Sequence, residues 1–352
     1  MKYIGKLLGT ILLVANVVTS LLMLFSGYSS YIHPESHPIL ACAGLTFGVF
    51  LLIILLFFLF WLVVYPRYTF CSVLTIVLCW NPIQTFCPIH FGTGQAGEKS
   101  IKVLSYNTLA MGNLSSDKYE VANYLKESDA DIICLQEFSF LRGLTKKKVD
   151  DLLSKYRYKH YNAELNLGCY SRFPILSSEK VKYKTQFNGS MAYRMKIHGD
   201  TVLVINNHLE SNKLTGDDKT MYKNMVVHPN KQIVKEGSKL LLTKIAEAGA
   251  MRAGQGEAIH ELVKKYKGHG VIVCGDFNDS PMSYVHRILR EDLTDAFSAA
   301  GNGLGFSYHL NGIYFRIDHM FVSPQYKVTQ CKVDNTIDAS DHYPIFSQIT
   351  LP

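Results

Sequence analysis

The sequence predicts two β-sheets packed face to face and flanked by helices, preceded by an apolar helical segment able to enter a membrane. Three observations carry this. Residues 1–98 hold only Lys2, Lys6, Glu35, Arg67 and Glu98 as charges, whereas residues 99–352 hold the other 33 Lys/Arg and 27 Asp/Glu. Within the first part, three long stretches carry no charge at all. Within the second, short β-branched and aromatic runs alternate with turns and with few helical patterns between them, as in a two-sheet sandwich.

A helix rising about 1.5 Å per residue needs roughly 20 apolar residues to cross some 30 Å of hydrocarbon. Residues 7–25 and 39–65 meet that length, and residues 70–89 do so less well because Asn81, Pro82 and Gln84 interrupt them. The expectation is three spans within an anchor of residues 1–91. A cleaved leader is the alternative for the first stretch, but its run is long, its cleavage pattern is weak and more apolar segments follow. Lys2 and Lys6 precede the first span and Arg67 separates the second from the third, while residues 27–38 hold no Lys or Arg. Cations favour the cytoplasmic side, so three spans place the remainder of the chain outside the cytoplasm. If the third stretch is only re-entrant, that remainder faces the cytoplasm instead.

Residues 92–98, rich in glycine, form a linker short enough to confine the following domain to about 15 Å of the membrane. Residues 99–352 are long enough for a full hydrophobic core. Strands are expected at 101–109, 131–137, 169–175, 191–197, 201–208, 271–276, 318–323 and 343–351, with helices at 119–127 and 237–267. Residues 213–239 are expected to be a loop insertion near the pocket rim. Cys42, Cys71, Cys79 and Cys87 fall in or beside the apolar stretches, and Cys134, Cys169, Cys274 and Cys331 in the domain. None has zinc-site spacing, and Cys134 and Cys274 inside apolar runs point to buried thiols. The domain's small net positive charge, without a basic stripe interleaved with aromatics, argues against specific recognition of DNA.

Polar residues recur at the ends of apolar runs. Ser105-Tyr106-Asn107, Gln136-Glu137, Asn207-His208 and Gly275-Asp276-Phe277-Asn278-Asp279 each follow one; Asp318-His319 and Ser340-Asp341-His342 each precede one. Strand ends on one edge of a sandwich can converge on one pocket. Each piece alone suits a turn or a surface residue, but six in order do not.

The ordered set SYN, LQE, YSRFPI, NNHLES, GDFND, RIDHMF and SDHYP resembles the endonuclease/exonuclease/phosphatase superfamily, the deoxyribonuclease-I-like fold, over residues 99–352. The apolar segment is also similar to that of membrane-tethered bacterial members, which implies an inner-membrane location. The resemblance implies a four-layer α/β sandwich and a Mg²⁺- or Mn²⁺-dependent attack of water on phosphorus. It implies Glu137 as the ligand of a hard cation, with Asn107 and Asp341 near it. Asp276 is expected to orient or deprotonate water, Asn278 to donate to a non-bridging oxygen, and His208 to stabilise the phosphate or protonate the leaving group. His342 is expected as general base or phosphate-orienting partner, its tautomer fixed by Asp318. Arg172 and Arg316 are candidates for phosphate contact, with salt-bridged scaffold as the alternative. The fold hosts many substrates, so a phosphate ester of a lipid head group at the bilayer and extracytoplasmic nucleic acid both stay open.

Overall fold

The computed structural model describes residues 2–92, 94, 97–213, 216–218, 220–221, 231–310 and 312–352. Apolar helices come first: α1 (Lys2–Gly27), α2 (Phe47–Val64), α3 (Thr69–Leu78) and α4 (Trp80–Phe86). Among the described residues, Lys6–Gly27 and Pro38–Val64 are each long and apolar enough to cross a membrane. The third expected span is a bent pair, Pro66–Leu78 and Trp80–Phe86, meeting at 64°. Pro82 accounts for the break, since its ring has no N–H to donate and would clash with the carbonyl four residues earlier. Between the long helices, Asn16 Oδ1 accepts from Trp61 Nε1 at 3.2 Å and from Ser72 Oγ at 3.3 Å. Such a buried polar link fixes the register of otherwise apolar helices.

Two six-stranded sheets follow. The first has the order β13-β14-β1-β2-β4-β3, from β1 (Ser100–Asn107), β2 (Ile132–Gln136), β3 (Tyr158–Asn162), β4 (Leu167–Ser171), β13 (Lys327–Val333) and β14 (Ile345–Thr350). The second has the order β5-β6-β7-β8-β12-β9, from β5 (Ile175–Lys180), β6 (Ser190–Ile197), β7 (Asp200–His208), β8 (Gly270–Asp276), β9 (Thr294–Asp295) and β12 (Asp318–Val322). Neighbours are antiparallel except β1–β2 and β7–β8. The expected strand at 169–175 is two strands that belong to different sheets, with Arg172, Phe173 and Pro174 as the corner between them.

Alternation along the strands makes the layers. Ile101, Val103, Ile132, Cys134, Val202, Val204, Ile272, Cys274, Met320 and Val322 meet between the sheets. The intervening residues turn outward. Leu104, Ile133 and Leu135 pack with Val121 and Leu125 of α5 (Glu120–Glu127) and Val149 of α6 (Lys146–Leu152). Leu203, Ile205, Val271 and Phe321 pack with Ile259 and Val263 of α7 (Lys231–Lys265) and Val285 of α8 (Tyr284–Leu289). This is the four-layer sandwich. Helix α7 begins six residues before its expected start, and Thr93, Gln95, Ala96 and much of 213–239 lie outside the described residues.

The apolar helices are docked on the sandwich. Met282 of the sandwich packs among Met23, Phe47, Ile54 and Cys79. Arg287 Nε donates to Ser30 O at 2.9 Å, His33 Nε2 lies 2.9 Å from Glu257 Oε1, and Arg290 Nη2 donates to Asn81 Oδ1 at 3.3 Å.

A polar clamp joins the sheets. Gln136 Nε2 donates to Asn206 Oδ1 at 2.6 Å and to Ser105 Oγ at 3.1 Å, while Asn206 Nδ2 donates to Leu135 O and Gly168 O, both at 3.1 Å. Asn206→Ala strips partners from groups that water cannot reach, at about 1–3 kcal/mol for each group left unpaired. The variant should melt well below the parent in detergent, and an unchanged melting temperature would show that the clamp is dispensable.

Candidate active site

The alternation that builds the core also builds the site. Continuing the inward positions of β1, β7 and β8 to their C-terminal ends gives Asn107, His208 and Asp276; Asp318 is the first inward residue of β12. The register brings these ends to one edge: His208 pairs with Asp276 across β7–β8, and Asp318 with Asp276 across β12–β8. Inward residues are therefore apolar in mid-sandwich, polar at the Gln136–Asn206 clamp, and ionisable at the rim. Glu137, just past β2, would face outward by alternation. It adopts φ 46°, a left-handed conformation costing about 1–2 kcal/mol, and that turn carries its carboxylate back to Asn107. Gly275 is needed where it stands, because a Cβ there would lie 2.0 Å from Asn207 O.

Asn107 Nδ2 donates to Glu137 Oε1 at 3.1 Å and to Asp276 Oδ2 at 3.0 Å. His208 Nε2 lies 3.5 Å from Asp276 Oδ2 and 3.9 Å from Glu137 Oε1. His342 Nε2 lies 3.7 Å from the same Asp276 oxygen, and its Nδ1 is 2.7 Å from Asp318 Oδ2. The expected residues Asn107, Glu137, His208, Asp276, Asn278, Asp318 and His342 thus converge. Asp341 precedes His342 on its loop, and its carbonyl accepts from His309 N at 3.0 Å.

Burial opposes a charge on His342, but the carboxylates of Asp318 and Asp276 outweigh it and push the imidazole up to about 10. Burial raises the Asp276 carboxyl against the pull of His342. An imidazolium suits the phosphate-orienting one of the two roles expected for His342, since it cannot accept a proton. The Asn278 backbone N–H donates to Asp276 Oδ1 at 2.8 Å; its Nδ2 donates to Leu209 O at 3.1 Å and lies 3.3 Å from Asp276 Oδ2. Asn278 thus holds Asp276 in place through its backbone N–H and lies beside it through its amide.

Two expected contacts are not made. Arg172 lies at the opposite end of the first sheet, where β4 pairs Ser171 with Ile132, and it is held by Asp131 at 2.9 Å and Asp129 at 2.7 Å. With Lys102 it holds the Asp129 carboxyl down at about 2. Arg316 is buried over the Phe297 ring and donates to Leu304 O and to Thr85 O of α4. Both are scaffold. Sequence reasoning gave no role to the clamp residues Gln136 and Asn206, or to Ser340, whose Oγ donates to Asn107 O at 2.8 Å. It also missed Arg252, buried and joining Glu210 O, Asn212 and Asp279. The inward parity of Gln136 and Asn206 was the available signal for the clamp.

Among the described residues, Asp276, Asp318 and His342 bring one potential ligand atom each within 4.8 Å of one another. Asp276, Asp318 and His342 are therefore one candidate site for a cation at this edge. The oxygen donors of partly open Glu137 and buried Asn107, free of sulfur, also fit a hard divalent cation. Asp318 Oδ1, buried and without a hydrogen-bond partner, leaves acceptor capacity beside them.

A two-sheet sandwich with carboxylates, amides and paired histidines at one edge defines a phosphoester hydrolase of the deoxyribonuclease-I-like class. The chain belongs to the Endonuclease/Exonuclease/phosphatase family, whose model matches residues 104–342. It is a hydrolase acting on phosphate esters, in a family dependent on divalent metal. A second model, Domain of unknown function (DUF8431), matches residues 9–86. The crystal structure of an endonuclease/exonuclease/phosphatase from Beutenbergia cavernae DSM 12333 is 16% identical over 72% of this chain and 72% of that one, with a TM-score of 0.51. A family protein from Bacteroides thetaiotaomicron is 18% identical over 72% and 98%, at 0.49. Truncated Caenorhabditis elegans TDP2 is 19% identical over 71% and 97%, also at 0.49. These likenesses are of fold. The comparison with curated proteins finds no match.

Proposed function

We propose that the protein is a membrane-anchored hydrolase of phosphodiester or phosphomonoester bonds, acting on a substrate held at the bilayer, with residues 1–91 as anchor, 92–98 as linker and 99–352 as catalytic domain. The observation that carries this is Met282, six residues after Asp276, packed into the anchor. The loop that supplies the catalytic carboxylate is thereby seated where the apolar helices end.

Glu137 and Asn107, with Asp341 nearby, would hold Mg²⁺ or Mn²⁺. When bound, such an ion neutralises phosphoryl charge and polarises the P–O bonds. Asp276, raised by burial and fixed by Asn278 and Asn107, accepts the proton of the water whose oxygen attacks phosphorus. His342, charged and held by Asp318, orients a phosphoryl oxygen. His208, on the far side of Asp276, is placed to protonate the leaving oxygen as its bond to phosphorus breaks.

The loop after α1 and the end of α4 both touch the sandwich, so Lys2, Lys6 and Arg67 belong to the other side of the anchor. This supports a domain outside the cytoplasm, in an inner membrane. Alkaline phosphatase fused after Glu98 should be active; a fluorescent cytoplasmic reporter lighting up there instead would overturn the orientation. Full-length protein in liposomes should hydrolyse lipid phosphate esters faster than DNA, and a strong preference for DNA would replace this reading with a tethered nuclease.

A further inference from the structure

On leaving α4 the chain runs directly along the sandwich. Pro88 O accepts from Gly303 N at 2.9 Å, and His90 N donates to Asn302 Oδ1 at 2.6 Å. The segment beside it opens a two-stranded hairpin, β10 (Tyr308–Leu310) and β11 (Ile313–Phe315). Arg316, closing that hairpin, binds Leu304 O at 3.0 Å and Thr85 O in α4. The base of the hairpin is therefore tied to the level at which the apolar helices end.

Around these ties the large apolar side chains do not turn inward. Ile89, Phe91, Leu304, Phe306, Tyr314 and Phe315 are all exposed, Phe91 to 99%. Leaving them in water forgoes about 25 cal/mol for each Å² of apolar surface that could be covered. The same hairpin is a wall of the site. Tyr308 bridges His342 through the backbone, with rings 5.2 Å apart, and Tyr343 N donates to Ser307 O at 2.6 Å.

We infer that this apolar rim is a second membrane contact, seated in the headgroup and upper acyl region of the bilayer that holds the anchor, and that it delivers the phosphate ester of an amphiphile to His342. The inference rests on the reading above that the anchor lies in a bilayer. Continuity selects the occupant: the rim begins within four residues of the last apolar helix and shares Arg316 with it, so it stands where lipid headgroups already are. Phe and Tyr suit that depth, being apolar rings that tolerate its polar boundary. An amphiphile could keep its chains along the rim while its phosphate reaches the His342 ring behind Tyr308.

Two readouts on full-length protein in phosphatidylcholine liposomes test this. A photoreactive phenylalanine analogue placed at position 306 should cross-link to lipid, whereas the same analogue at exposed Leu176, on the edge strand β5, should not. The double variant Ile89→Ser, Phe91→Ser, in the segment after α4 and outside the hairpin that walls the site, should lose about tenfold in rate on a lipid phosphodiester, chiefly through KM, with hydrolysis of soluble bis-p-nitrophenyl phosphate unchanged. Soluble turnover reports that the variant is folded. Absence of lipid cross-links at position 306, or equal vesicle rates for parent and double variant, overturns the rim. Absence of hydrolysis of every phosphate ester overturns the proposed function instead, and the cross-link still reads the rim.

Discussion

Exhaustive chelation should abolish hydrolysis of every phosphate ester, and Mg²⁺ or Mn²⁺ should restore it. The physical reason is the charge at the edge of the sandwich. Glu137, Asp276, Asp318 and Asp341 meet there, and an anionic phosphate cannot approach so many carboxylates unless a cation intervenes. The carbonyl and carboxylate oxygens of Asn107 and Glu137 suit a hard divalent ion, and the buried thiols lie deeper, between the sheets. Glu137→Gln should weaken metal binding measured by titration calorimetry while leaving the fold intact, because Asn107 keeps its bond to Asp276. Full turnover by metal-free protein would remove the mechanism altogether.

Asp276→Asn should lower turnover by about 10²–10⁴-fold, the range for loss of a positioned proton acceptor. The carboxylate stands within 4 Å of both His208 and His342 and is the common partner of Asn107 and Asn278. The pH profile separates it from His342. Asp276 must be ionised to act, so its raised pKa governs the acidic limb, where activity is lost as pH falls. His342 must be protonated, so activity is lost on the alkaline side as pH rises through its pKa near 10. Asp318→Asn removes the largest influence sustaining that proton while burial continues to oppose it, so the alkaline limb should move to lower pH. On the sequence alone, with His342 as a base, the same variant moves the acidic limb. A profile unchanged on both sides would refute the Asp318–His342 pair.

Much of this was legible in the chain. Asn107, His208, Asp276 and Asp318 stand at the same parity as the core residues preceding or following them on their strands, so period-two alternation alone places them between the sheets. Glu137 breaks that parity, and only its left-handed backbone returns it to the site. Arg172 and Arg316 show the opposite failure. Each sits in a family-like motif, yet what a long side chain reaches depends on neighbours that sequence does not place: Asp129 and Asp131 for one, the Thr85 carbonyl 231 residues away for the other.

The sequence by itself determined that a nearly uncharged apolar segment precedes a charged domain, through where charge is absent, and its reaction class, through ordered strand-end motifs that strand periodicity brings to a common face. Tertiary structure alone decided three things. Six-stranded register brought distant strand ends together at one edge, the carboxylates around His342 raise its pKa, and side-chain contacts hold the apolar helices against the loop after Asp276. Each is a sum over groups remote in sequence, and strand periodicity, which acts between near neighbours, carries no record of them.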